Sequence, residues 1–228
     1  MTDRCIVLVP VSHHIEPGCE QGLQALEAAG YTVWRQWGFS EISLGRSRMA
    51  TAALADGFTE LMWIDSDIIF EPTDVDRLRA HQLPIVAGIY AAKGRQTFIC
   101  TPLESTTELV FGPGGGVVEI KYAGAGFLLT RRSVYDRIQH AHQLPRCEAP
   151  DLSAGAPDDP GIVPYFLPMI VDNRWFLTED YSFCERARAC GHHVMADTTI
   201  RLGHVGSFVY SWDRGHTGET VRCAIKSG

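Results

Sequence analysis

The 228-residue sequence predicts a single-domain α/β fold, built on one mixed, mostly parallel sheet with helices on both faces. Three observations carry this. Solid apolar runs recur at Ile6-Val7-Leu8-Val9, Leu61-Met62-Trp63-Ile64 and Pro84-Ile85-Val86-Ala87-Gly88, as expected of strands buried on both faces. Helix-forming stretches separate these runs, and that alternation implies a parallel sheet. Hydrophobic residues make up 45% of the chain and charged residues 21%, which suits one complete core and argues against disorder.

The elements follow in order. The apolar run from Cys5 to Val11 holds the first strand, with Pro10 ending it and a polar Ser12-His13-His14 loop beyond. A helix is expected over 17–29, with Leu23, Leu26 and Ala29 on one face and Gly30 as its stop. A second strand covers 31–34. A helix over 45–55 carries Arg46 and Arg48 and is closed by Gly57. The strand over 61–64 runs straight into Asp65-Ser66-Asp67, then Ile68-Ile69-Phe70, then a helix over 73–80 with an acidic first turn. Past the strand at 84–88 the pattern changes. Strand-like segments at 98–102, 117–121 and 127–129 are parted by Gly-rich turns, of which Gly112-Pro113-Gly114-Gly115-Gly116 is the plainest. A helix over 133–142 precedes a stretch from 142 to 168 rich in Pro, Gly, Asp and Ala. A loop of that length is usually functional or mobile. A strong helix over 179–189 ends at Cys190-Gly191, and a last strand over 194–202 leads to Gly203-His204-Val205-Gly206. Neither an internal repeat nor a break in composition marks a second domain.

Composition excludes several classes. With 20 basic and 27 acidic residues the net charge is −7, against the basic face of a general nucleic-acid binder. A nucleotide carried on Mg²⁺ or Mn²⁺ remains compatible, because the ion brings its own positive charge. No run approaches the roughly 18 apolar residues of a membrane span. The seven cysteines, at 5, 19, 100, 147, 184, 190 and 223, include no C-x-x-C pair and are odd in number, which suits reduced thiols in a cytoplasmic protein.

Three constellations carry chemistry. Asp65-Ser66-Asp67 follows a buried strand, and the carboxyl ends of strands are where open α/β sheets bind ligands. Carboxylates at i and i+2 face opposite ways on a strand, but on a bend both can approach one cation, and Mg²⁺ commonly takes one or two carboxylates plus substrate phosphates. The competing reading is that the two Asp residues begin the turn and cap the next helix. Glu179-Asp180 opens a helix after Thr178, so dipole-favoured capping competes with a role as general base. Trp175, Phe176 and Tyr181 around it can offer a platform to a sugar ring. His204 stands after the last strand between glycines, where imidazole can reach a metal. A structural histidine is the alternative there. His13-His14 can contact a nucleotide base, though solvated loop residues are the plainer reading, and His192-His193 reads as surface.

Taken together, the first strand with Pro10, the Arg46/Arg48 helix, Trp63-Ile64-Asp65-Ser66-Asp67, Gly124-Ala125-Gly126-Phe127-Leu128-Leu129, Glu179-Asp180 and His204 resemble the family 2-like glycosyltransferases of GT-A fold, in the family's order and over nearly the whole chain. The resemblance implies a Rossmann-like domain over 1–228, with a nucleotide-binding half at 1–95 and an acceptor-side half at 96–228. It implies a UDP- or GDP-sugar donor and a glycan, lipid-linked or protein acceptor. Pro10, Val11 and Ser12 would line the nucleobase pocket, with Arg46 or Arg48 near the nucleotide. Asp65 would contact the ribose or a nearby arginine, and Asp65, Asp67 and His204 would form the Mn²⁺ or Mg²⁺ site with Ser66 between them. Asp180 would act as base in an inverting transfer, with Glu179 beside it. No Q/R-x-x-R-W-type motif follows the acidic pair; Trp212-Asp213-Arg214 is a poor substitute, which argues against processive synthesis and leaves a retaining transfer open.

Three rivals remain. A haloacid-dehalogenase-like phosphatase also uses D-x-D, but on its first strand and with Thr or Val two residues on, where this chain has Ile69. A sugar nucleotidyltransferase would carry a Gly-rich signature after Val9. A non-catalytic nucleotide-sugar-binding module would not need Glu179-Asp180.

Overall fold

The computed structural model describes residues 4–38, 40–94, 97–148, 161–213 and 219–225. In chain order the elements are β1 (Cys5–Val11), α1 (Pro17–Ala28), β2 (Thr32–Trp37), α2 (Ile42–Ala55), β3 (Glu60–Ile64), β4 (Ile68–Ile69), α3 (Pro72–Ala80), β5 (Ile85–Gly88), β6 (Cys100–Pro102), β7 (Glu108–Phe111), β8 (Val117–Ala123), β9 (Phe127–Arg131), α4 (Arg132–Ala141), β10 (Met169–Val171), β11 (Trp175–Leu177), α5 (Glu179–Ala189), β12 (Val194–Asp197), β13 (Gly203–Val205), β14 (Val209–Tyr210) and β15 (Val221–Ala224).

The main sheet has the order β2-β1-β3-β9-β5-β12-β8-β6. β1 pairs parallel with β2 and β3, and β12 parallel with β5, whereas β9 lies antiparallel between β3 and β5, and β8 antiparallel between β12 and β6. Only β8 and β9 of the eight strands therefore oppose the common direction, and the mostly parallel mixed sheet expected from the sequence is the one observed. β9 and β12, from the second half of the chain, interleave with β3 and β5 from the first.

Each solid apolar run divides its side chains between two cores, because successive residues of a strand face opposite ways. Ile6, Leu8, Leu61, Trp63, Ile85 and Ala87 pack on one face beneath Met49 and Ala53 of α2, Tyr135 and Ile138 of α4, and Phe183 and Ala187 of α5. Val7, Val9, Met62, Ile64 and Val86 pack on the other beneath Leu23 and Leu26 of α1 and Val75 and Leu78 of α3. Helices cover both faces, as the run-and-helix alternation requires.

Several element boundaries differ from expectation for identifiable reasons. Pro10 does not end β1: the strand continues to Val11 against β2, while its pairing with β3 stops at Leu8, so the proline sits where only one neighbour remains. α2 begins three residues before the expected Gly45, because the Glu41 carboxylate accepts hydrogen bonds from the Ser43 and Leu44 amides (3.0 and 2.6 Å) and caps it. Glu41 is not among the usual capping types. The last strand stops at Asp197 rather than running to 202. There the carboxylate accepts from the Thr199 amide (2.8 Å) and hydroxyl (2.5 Å) and pairs with His81 Nε2 (2.9 Å), an Asx turn that bends the chain out of the sheet. The hairpin of β10 and β11 and the β7–β15 pair had no counterpart in the sequence reading. Part of the 142–168 stretch, and Arg214, lie outside the described residues. All seven cysteines are free, and burial pushes the thiols of Cys5, Cys19, Cys100 and Cys184 up to about 12. Among the described residues no helix is long and apolar enough to cross a membrane.

Asp197 gives a test of this frame. Burial pushes its carboxyl up, but the hydrogen bonds from Thr199 and His81 outweigh burial and hold it below the ordinary value. Asp197→Ala is expected to lower stability at pH 7 by about 1–3 kcal/mol in urea unfolding, because it removes a buried acceptor and leaves three half-buried donors without it. A depressed folded pKa stabilises above the unfolded value and loses that contribution as pH falls through the folded one. The gap between wild type and variant should therefore close as pH drops below about 4.

Candidate functional site

The site lies at the carboxyl edge of β1, β3 and β5, where α1, α2 and α5 converge. β3 ends at Ile64 and the chain turns through Asp65-Ser66-Asp67 into β4. Hydrogen bonds from three sides hold the turn. The Asp65 amide donates to Gly126 O (3.0 Å), the Glu16 amide at the start of α1 donates to Ser66 O (2.8 Å), and Cys19 Sγ donates to Asp65 O (3.4 Å). The helix that follows is capped by its own residues, with Asp74 accepting from the Glu71 amide (3.1 Å). Neither Asp65 nor Asp67 caps it, although Asp65 does begin the turn, its carbonyl accepting from the Ile68 amide (3.1 Å).

The two carboxylates of the motif part company. Asp65 Oδ1 accepts from Arg46 Nη2 at 2.6 Å, while Asp67 faces Lys93 and His204. Arg46 is the buried hub: its side chain is 3% exposed, lies over the Trp63 ring at 5.5 Å, and brings Nε to 3.5 Å from Glu179 Oε1. Trp63 is anchored in turn by donating from Nε1 to the Tyr135 hydroxyl (2.9 Å). Nε and Nη1 of Arg46 have no hydrogen-bond partner among the described residues. Burial alone would weaken the guanidinium's hold on its proton, but Asp65 and Glu179 more than offset it. Glu179 is pushed up by burial and by the Asp180 charge, against the pull of Arg46. Asp180 accepts from the Thr178 hydroxyl and the Tyr181 amide, each at 2.8 Å, and the Thr178 side chain makes no capping hydrogen bond to α5.

His204 reaches this edge by strand pairing. β13 lies between β4 and β14, His204 is in register with Ile68, and the Val205 amide donates to Asp67 O (2.8 Å). Its Nδ1 lies 2.9 Å from Ala91 O. A carbonyl only accepts, so Nδ1 carries a proton and donates it, which orients the ring and sets Nε2 3.7 Å from Asp67 Oδ1. Burial pushes the Asp67 carboxyl up, but His204 and Lys93 together hold it below its usual value.

A metal site of Asp65, Asp67 and His204 together is corrected by this geometry. Among the described residues no cluster of three such side chains is placed to hold an ion, and Asp65 is committed to Arg46. Asp67 and His204 do fit a divalent cation that takes its remaining ligands from phosphate and water, since one supplies carboxylate oxygen and the other an oriented imidazole nitrogen.

A cleft of about 430 Å³ beside Asp67 is lined by Ser12, His13, His14, Glu16, Ser66, Lys93 and the Val205-Gly206 turn. Of the three residues expected around a base, Ser12 lines it, whereas the side chains of Pro10 and Val11 are buried in β1. Arg46 is enclosed by its carboxylates, and Arg48 lies roughly 200° round the helix from it. Sequence reading missed Lys93 and Tyr90. Both follow β5 at the ligand-binding edge, which was the available signal. Tyr90 accepts from the Gly126 amide (3.0 Å) and packs edge-on to His204, with ring centroids 5.1 Å apart.

Gly126 shows why the glycines before β9 are needed. A Cβ there would fall 2.5 Å from Tyr90 Oη and 2.9 Å from Asp65 Oδ2. Gly126→Ala is expected to displace both groups and to destabilise the fold by about 1–3 kcal/mol, the range for overpacking a tight site. Urea unfolding checks it.

Comparison with known proteins supports the fold. No protein-family model and no curated protein matches the chain. Among solved structures, A197 from STIV aligns with 12% identity over 92% of this chain and 91% of its own, at a TM-score of 0.56. The inositol-1-phosphate CTP transferase from T. maritima aligns at 10% identity over 90% of each chain (TM-score 0.39). A glycosyltransferase involved in the glycosylation of the major capsid of PBCV-1 aligns at 12% identity over 85% and 92% (TM-score 0.33). The A197 likeness speaks for a shared α/β architecture; the other two alignments are too loose to carry an argument.

Proposed function

We propose that the chain is a divalent-metal-dependent glycosyltransferase that moves a sugar from a UDP- or GDP-sugar to an acceptor hydroxyl with inversion. The observation that carries the reading is the pairing of Asp67 with an oriented His204 at the strand edge, with an acidic pair, Glu179-Asp180, joined to the same turn through Arg46. Asp67 and His204 hold Mn²⁺ or Mg²⁺, which when bound neutralises charge on the departing diphosphate. α1 begins at this cleft, and a helix N-terminus favours phosphate. Ser12, Ser66 and the two loop histidines contact the nucleotide from the cleft wall.

Asp180 accepts the proton of the attacking hydroxyl. Glu179 and Arg46 set the charge around it, and Arg46 keeps the donor turn and the start of α5 in fixed relation. A positioned base of this kind is worth about 10²–10⁴-fold. The acceptor is a hydroxyl of a glycan, a lipid-linked sugar or a protein, and the working compartment is the cytoplasm.

The test is product analysis. The protein is incubated with Mn²⁺ and a panel of UDP- and GDP-sugars, with simple sugar alcohols as acceptors. Release of nucleoside diphosphate supports the reading. Inorganic phosphate from phosphomonoesters, or pyrophosphate from a nucleoside triphosphate and a sugar phosphate, overturns it in favour of a phosphatase or a nucleotidyltransferase.

A further inference from the structure

Asp67 already has a cation on it. The Lys93 ammonium contacts Asp67 Oδ2, and the other carboxylate oxygen faces His204 Nε2 at 3.7 Å. Lys93 sits on the turn between β5 and β6, and the same turn supplies the Ala91 carbonyl that orients the His204 ring. The stem of the lysine lies across Gly206, where a Cβ would fall 3.2 Å from Lys93 Cδ. Its head is held at the cleft wall while its side chain remains 39% exposed. One loop therefore delivers both an orienting contact for an imidazole donor and a positive charge that blocks the carboxylate beside it.

We propose that Lys93 is a built-in competitor for the divalent ion: its ammonium occupies Asp67 until a cation enters, and entry requires that it swing into the cleft. This rests on the reading of Asp67 and His204 as cation ligands. An ammonium on one oxygen of a carboxylate repels a divalent ion arriving at the other, and a four-carbon stem with rotatable donors leaves readily. The displaced ammonium points toward the cleft, where the anionic part of a donor would receive it. Ion entry and donor entry then support each other, and the ion alone binds weakly.

The test uses Mn²⁺ alone, without nucleotide, titrated into wild type, Lys93→Met and Asp67→Ala and followed by the paramagnetic resonance signal of the free ion. Lys93→Met is expected to bind Mn²⁺ about tenfold more tightly than wild type, by removing the competing charge. Combining it with Asp67→Ala should abolish the gain. Equal or weaker binding by Lys93→Met, with binding still lost in Asp67→Ala, overturns the competitor role and leaves the ion site standing. Mn²⁺ binding that is indifferent to Asp67 in both backgrounds overturns the ion site and the competitor role together.

Discussion

Asp180→Asn is expected to slow sugar transfer by about 10²–10⁴-fold while donor affinity stays within about twofold of wild type. The asymmetry follows from where the carboxylate sits. Asp180 begins α5, is held by the Thr178 hydroxyl and the Tyr181 amide, and makes no contact with the Asp67-His204 pair that would grip the diphosphate. Asparagine keeps the shape and can accept the same two hydrogen bonds, but it cannot take a proton. The measurements are single-turnover transfer and, separately, donor titration. Glu179→Gln is the control. Glu179 lies 3.5 Å from Arg46 and is pushed toward its neutral form by burial and by Asp180, so its loss should slow transfer far less. Transfer retained in Asp180→Asn but lost in Glu179→Gln would exchange the two roles.

Arg46→Met is expected to destabilise the protein by about 3 kcal/mol in urea unfolding. Removing one partner of a buried ion pair typically costs 3–5 kcal/mol, and the lower end applies because Asp65 remains 29% exposed. The apolar replacement fills much of the volume over Trp63, so the loss comes mainly from Asp65 and Glu179, which would face each other's charge with no cation between them. Adding Asp65→Asn and Glu179→Gln should restore most of the stability. Arg46→Lys should recover only part, since a point charge on a flexible stem cannot span two carboxylates as a planar fork does. A loss in Arg46→Met below about 1 kcal/mol, typical of an exposed pair, would contradict the hub.

Most of the sheet was legible because buried strands announce themselves as solid apolar runs and helices as periodic ones. What escaped depends on contacts made at a distance. The sequence reading closed β1 at Pro10, because a proline breaks a ladder. Nothing local shows that the pairing of β1 with β3 stops two residues earlier, at Leu8. It placed Asp65 and Asp67 on one ion, because both were oxygen donors on one bend. It also gave Asp65 a nearby arginine, and the buried Arg46 of α2 is that partner, which leaves Asp67 apart from it. His204 was legible as a histidine among glycines after a strand, but its orientation comes from Ala91, 113 residues away in the chain. Lys93 was invisible for the same reason, being one lysine in a loop until β13 folds back beside it. The fold is written in local pattern, whereas the charge arrangement of the site is written in tertiary pairing.

The most direct test of the account is calorimetric titration of UDP- and GDP-sugars into wild type and Asp67→Ala, with and without Mn²⁺. The account predicts that one nucleotide class binds wild type only when Mn²⁺ is present and that Asp67→Ala does not bind it at all. Binding that is unchanged in Asp67→Ala, or that ignores Mn²⁺, would contradict the central claim that this turn holds the donor through a metal ion.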